Sequence, residues 1–100
     1  MFVFANLVQV SDKGMQLLLR EVSTDLLTIA LKGADEKVRD KIFKNMSKRA
    51  GEMLLEDMEA RGPVKLSEVE TAQKEILIIA RRMAEEGAIS LGSNGDDYVQ

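Results

Sequence analysis

The side chains in this sequence that could do chemistry are almost all ionic. Cysteine and histidine are both absent. That removes thiolate nucleophiles, disulfides, Ser-His-Asp and Cys-His arrangements and nearly every zinc or transition-metal site, because each needs a soft sulfur or an imidazole titrating near neutrality. Carboxylate doublets stand at Glu56-Asp57, Glu85-Glu86 and Asp96-Asp97. Adjacent residues on a helix project about 100° apart, so such doublets do not converge on a scissile bond or a divalent ion. The chain has no phosphate loop, dinucleotide fingerprint, EF-hand loop or metalloprotease motif. Neither an enzyme nor a cofactor is implied, and the charges must act, if they act, by attraction and repulsion.

Their balance narrows the partners. Fourteen Lys and Arg against seventeen Asp and Glu leave a net charge of -3, the wrong sign for wrapping a phosphate backbone. With three phenylalanines, one tyrosine and no tryptophan, base-stacking platforms are not expected either, so nucleic acid is excluded. No apolar run is longer than Ile76 to Ala80, which falls far short of the roughly 20 residues that cross a bilayer. The opening residues lack the basic start and long apolar middle of a signal peptide, which points to a chain that stays in the cytoplasm. At 100 residues, with 45% hydrophobic and 31% charged, one folded domain is expected.

The elements that would position the charges read as helices. Ser11 or Asp12 can cap a helix with Met15, Leu18, Leu19 and Val22 on its buried face. Ser23-Thr24-Asp25 starts a second, carrying Leu26, Leu27, Ile29, Ala30 and Leu31, which Gly33 is expected to end by adopting a positive φ. Lys32 in its last turn suits the helix dipole. A third helix from Asp35 has an apolar seam of Val38, Ile42, Phe43 and Met46. Its expected i,i+4 pairs are Asp35 with Arg39 and Asp40 with Lys44, each contributing about 0.2 to 0.5 kcal/mol, on an otherwise solvated face. A last helix is expected from the Ser67-x-x-Glu70 capping box to about Glu86, with Val69, Ala72, Ile76, Ile79 or Ala80, and Met83 inward. The opening Met1-Phe2-Val3-Phe4 reads as an apolar plug over the edge of the core, and the methionines as core fillers.

The fourth helix, from Ser47 to the Gly62-Pro63 stop, is the unusual one. At about 100° per residue, Ala50, Leu54 and Met58 share one side, with Met53 at its margin, while Arg49, Glu52, Glu56 and Glu59 share the other. One ridge thus carries a base followed by acids. Asp57 projects nearer the apolar arc and is expected to be partly shielded, satisfied by a cation or a backbone amide.

The strings Met1-Phe2-Val3-Phe4, Leu31-Lys32-Gly33-Ala34-Asp35, Asn45-Met46-Ser47-Lys48-Arg49-Ala50 and Gly62-Pro63-Val64-Lys65-Leu66, in that order, give the chain a specific resemblance. Over essentially all 100 residues it resembles the C-terminal domain of the FliG family, the rotor switch proteins of the bacterial flagellar motor. The resemblance implies an all-α fold, a compact bundle of about five to six short helices. It also implies an apolar hinge and first turn over residues 1–10, a torque domain over 11–91 and a flexible tail over 92–100. The family's stator-interacting charges transfer to Lys32, Arg49, Glu56, Asp57 and Lys65. Glu56 and Lys65 stand where the family often has Asp and Arg; charge sign is kept, but a lysine is a point charge and lacks the planar guanidinium fork.

Further expectations follow from the same resemblance. The partners would be the cytoplasmic loop of a stator subunit of the MotA/PomA type, the switch protein FliM and other copies of the chain in a rotor ring. The place would be peripheral, at the cytoplasmic face of the inner membrane in the flagellar basal body. Met1, Phe2, Val3 and Phe4 would form a hinge that takes part in switching rotation direction. The residues alone also allow a passive all-α adaptor whose ridge merely keeps it soluble.

Overall fold

The structure is a computed structural model and describes residues 2–91. Its elements, in order, are a 3₁₀ turn (Phe4–Gln9), α1 (Asp12–Glu21), α2 (Thr24–Lys32), α3 (Glu36–Lys44), α4 (Lys48–Arg61) and α5 (Leu66–Glu85). There is no strand among the described residues, so the all-α expectation is met. The expected tail, 92–100, and Met1 of the hinge lie outside the described residues.

Four of the five α-helices start where a side chain satisfies an orphan amide. The Ser11 hydroxyl accepts from the Gly14 amide at 3.0 Å, Ser23 from Leu26 at 3.2 Å, Asp35 from Val38 at 3.1 Å and Ser47 from Ala50 at 3.1 Å. Such caps stabilise a helix by about 1 kcal/mol each. α5 departs from expectation by starting at Leu66 rather than after Ser67. Glu68, at its third position, accepts from the Lys65 amide at 3.0 Å, so this carboxylate anchors the helix one residue pair earlier than the Ser67-x-x-Glu70 box would. At the far end Ala88 donates to the Met83 carbonyl at 2.9 Å and Gly87 to Ala84 at 3.0 Å. With Gly87 at φ 81°, this is the left-handed cap that closes α5.

α2 and α5 form the main helix pair. α4 packs on α2, α1 and the 3₁₀ turn pack on α5, and α3 lies chiefly against the 3₁₀ turn. The core runs through all of them: Leu7, Met15, Leu18, Leu31, Ile42, Leu54 and Ile76 are each fully buried. Burying one such side chain stabilises by about 1.5 to 3 kcal/mol. The opening segment is part of this core, since Phe4, Leu7 and Val10 are buried with it. Of the methionines, Met15, Met58 and Met83 fill the core, whereas Met53 is 56% exposed.

Gly33 does not end α2 through a positive φ; its φ is -114°. The glycine is needed for space instead. A Cβ there would lie 2.6 Å from Val69 Cγ1, so the missing side chain lets the end of α2 approach the start of α5. The i,i+4 pairs expected on α3 are also replaced. Asp12 of α1 collects the cations: Lys41 Nζ stands 3.1 Å and Lys44 Nζ 3.7 Å from its carboxylate, and the Asn45 amide donates to it at 3.1 Å. Gln16 in turn donates to the Asn45 side-chain oxygen at 3.1 Å. The polar side of α3 is solvated at Glu36, Lys37 and Asp40, as expected, and only its carboxyl end is tied to α1.

Candidate functional site

α4 is built as the sequence pattern requires. Leu54 and Met58 are buried, Ala50 is half-buried, and Arg49, Glu52, Glu56 and Glu59 are all exposed. Arg49 and Glu56, seven residues apart, return to nearly the same azimuth about 10 Å along the axis. None of Arg49, Glu52, Glu56 or Glu59 has an ion-pair partner among the described residues. The ridge thus offers uncompensated charge to water along a helix whose other side is fixed in the core.

Asp57 lies about 100° round from Glu56 and is exposed, not shielded. Among the described residues it has no hydrogen-bond or ion-pair partner, against the expectation of a satisfying cation or amide. The physical reason is a hollow of about 510 Å³ between α4 and the start of α2, lined by Thr24, Asp25, Thr28, Asp57, Ala60 and Arg61. Because α2 stands off there, the side that the helix angle makes inward is still open to solvent at Asp57. Arg61 in the last turn of α4 pairs with Asp25 of α2, a link the sequence reading missed; the spacing of Asp57 and Arg61 was visible, but the rival carboxylate was not.

Lys32 is half-buried, and its ammonium donates to the Met58 carbonyl at 3.0 Å. In the last turn of α4 the Gly62 amide reaches back to Glu59 at 3.3 Å, leaving the Met58 carbonyl for another donor. Lys32 supplies it. The lysine closes the carboxyl end of α4 as well as suiting that of its own helix. Lys65 is exposed at the N-cap of α5, beyond the turn in which Gly62 takes φ 71°. The structure therefore gathers Arg49, Glu56 and Asp57 on α4 and sets Lys32 against its end, with Lys65 past the following turn.

At the chain's beginning Phe2 is half-buried, Val3 exposed and Phe4 buried. The Val3 amide donates to Asn6 Oδ1 at 2.7 Å, which starts the 3₁₀ turn. Phe2, Val3 and Phe4 face Leu77 and Ile78 of α5 across a groove of about 730 Å³, bordered by Lys74 and Arg81. Ile78 is 63% exposed. Among the described residues no group of three or more acidic, histidine or cysteine side chains could hold a metal ion, and no helix is long and apolar enough to cross a membrane.

With this geometry in hand, comparison with known proteins is direct. The family described as FliG C-terminal domain matches residues 1–91. The chain is 66% identical over 99 residues to the flagellar motor switch protein FliG of Pseudomonas aeruginosa, covering 99% of this chain and 29% of that protein. It is 62% identical over 99 residues to FliG of Vibrio cholerae, covering 99% and 28%. Among solved structures it superposes on Helicobacter pylori FliG (residues 116-343) with a TM-score of 0.89 at 34% identity, over 92% of this chain and 40% of that one. The full-length FliG of Aquifex aeolicus gives a TM-score of 0.84 at 47% identity, over 87% and 27%. The chain thus spans under a third of the length of these curated relatives, and it belongs to the FliG C-terminal domain family.

Proposed function

We propose that this chain is the part of a flagellar rotor switch on which a stator acts, with α4 as the contact. The observation that carries this reading is the row Arg49, Glu52, Glu56, Glu59, flanked by Asp57, exposed and unpaired among the described residues on a helix anchored by Leu54 and Met58. Exposed ion pairs contribute only about 0 to 1 kcal/mol each and are screened beyond about 8 to 10 Å. That strength suits a partner that must pass and be released. A cytoplasmic stator loop of complementary charge would push on Arg49, then on Glu56 and Asp57, while Lys65 adds a cation past the turn and Lys32 holds the end of the helix. FliM and neighbouring copies of the chain would be the other partners, at the cytoplasmic face of the membrane. Met1 to Phe4 would form the hinge, with Phe4 as its anchored end, because moving that buried aromatic out of the core would cost about 1.5 to 3 kcal/mol.

The test is swimming and rotation of a bacterium whose motor protein carries the substitutions, alongside circular dichroism of the same protein. Neutralising Glu56 alone (Glu56→Gln) leaves most motility, whereas reversing Arg49 and Asp57 together stops rotation with helix content and melting temperature unchanged. Reversing the stator's charges restores part of it, read as a double-mutant cycle. In the same assay Phe2→Ser biases direction without stopping rotation. Complete arrest by Glu56→Gln in a folded protein would overturn the reading. The passive adaptor is favoured by one observation, the apolar groove beside Ile78. On that reading the double reversal would leave rotation intact, and changes at Ile78 would disrupt assembly.

A further inference from the structure

We propose that Asp25 is a positioning residue that keeps the Asp57 carboxylate available by holding Arg61 away from it; this rests on the reading of α4 as the contact helix. Asp57 and Arg61 stand four residues apart on α4, acid before base, the spacing and order at which a helix brings a carboxylate and a guanidinium together. Left to themselves they would pair, and the contact helix would lose an anion. Arg61 instead reaches across to Asp25 in the first turn of α2, and Asp57 is left without a partner among the described residues.

The surroundings make this a choice between two carboxylates. Asp25, Asp57 and Arg61 line the same open hollow of about 510 Å³, so the guanidinium has room to turn from one acid to the other while both helices stay in place. The backbone at Asp25 is held from both sides in sequence, with the carboxylate itself largely exposed. Ser23 caps α2 through the Leu26 amide at 3.2 Å, and Thr28, 1% exposed, donates to the Thr24 carbonyl at 2.7 Å. A guanidinium stays charged throughout the working pH range and is a planar fork. Which carboxylate it takes is therefore set by where the acids stand.

Five forms of the chain test this: wild type, Asp25→Asn, Asp25→Glu, Arg61→Gln and the double variant Asp25→Asn with Arg61→Gln. The first readout is the set of NMR contacts made by the Arg61 side chain; the second is swimming with the same changes in the motor protein. In Asp25→Asn the Arg61 contacts are expected to move from α2 to the Asp57 side chain, and swimming to fall by roughly twofold, the occupancy change a single helical pair can produce. Adding Arg61→Gln frees Asp57 and restores swimming, and Asp25→Glu alone retains it. Rescue by removing a second charge is not what simple destabilisation produces, since separate lesions then add. If the Arg61 contacts move but swimming does not change, the positioning role of Asp25 stands and the reading of Asp57 as a contact charge fails. If the contacts stay on α2 or are lost to solvent, or if Asp25→Asn lowers swimming and the double variant does not restore it, the proposal is overturned.

Discussion

Lys32 shows how much of a residue's role is decided by what its tip touches. Its type and place at the end of α2 suit a dipole partner or a free cation equally well, and the resemblance makes it a stator contact. In the structure its ammonium donates one of its N–H groups to the Met58 carbonyl. Lys32→Met should therefore lower stability by about 1 to 2 kcal/mol, since a buried carbonyl loses a charged donor, and Lys32→Arg should recover most of it; thermal melts measure both. An unchanged melting temperature in Lys32→Met would mean the bond contributes nothing. Gly33 carries a similar lesson. Gly33→Ala is expected to cost about 1 to 3 kcal/mol by overpacking against Val69, and Val69→Ala should relieve part of that cost in the double variant. Equal losses in the single and double variants would show that the contact is not the cause. The glycine was legible as a helix end, but the reason for it was not, because Val69 is 36 residues away in the chain.

At the scale of elements, the caps and apolar faces were legible because they are local. Ser11, Ser23, Asp35 and Ser47 each satisfy an amide three residues on, a distance that sequence spacing encodes directly. The start of α5 was misplaced because two local signals compete, and Glu68 reaching back to Lys65 won over Ser67 with Glu70. The seam between α1 and α3 was not legible at all, since Asp12 meets Lys41 and Asn45 across 29 and 33 residues. Hydrogen bonds from Asn45 and then Lys41, with the nearby lysine charges, hold the Asp12 carboxyl below the usual carboxylate value despite a smaller opposing effect of burial. A lowered folded value means that this seam stabilises fully above the unfolded Asp value. The contribution is lost as pH falls through the lower, folded one. The melting-temperature gap between wild type and Asp12→Ala should accordingly be present at neutral pH and close in the acid range below about pH 4. A gap that persists unchanged at low pH would assign the seam to packing.

For the whole molecule, the grouping of charge on one helix was legible and the wiring of that helix to its neighbours was not. Arg49, Glu52, Glu56 and Glu59 share a side by helical arithmetic alone. Besides the burial of Leu54 and Met58, α4 is tied to the rest by contacts that local spacing does not encode: Lys32 at the Met58 carbonyl and Asp25 at Arg61. Both ties join the carboxyl half of α4 to α2, and α2 is in turn the main partner of α5. The polar ties of the helix that carries the charges thus lie at one end and go to one neighbour, while Leu54 holds its middle in the core.

That one-ended tying has a mechanical consequence. If α4 is the contact helix proposed above, a sideways shove on Glu56 or Asp57 would pass through α2 into the long rod of α5, whose flank borders Phe2, Val3 and Phe4. Under that proposal, load taken up by the charged helix and any reorientation at the chain's beginning would pass through the same beam, and its stiffness would govern both.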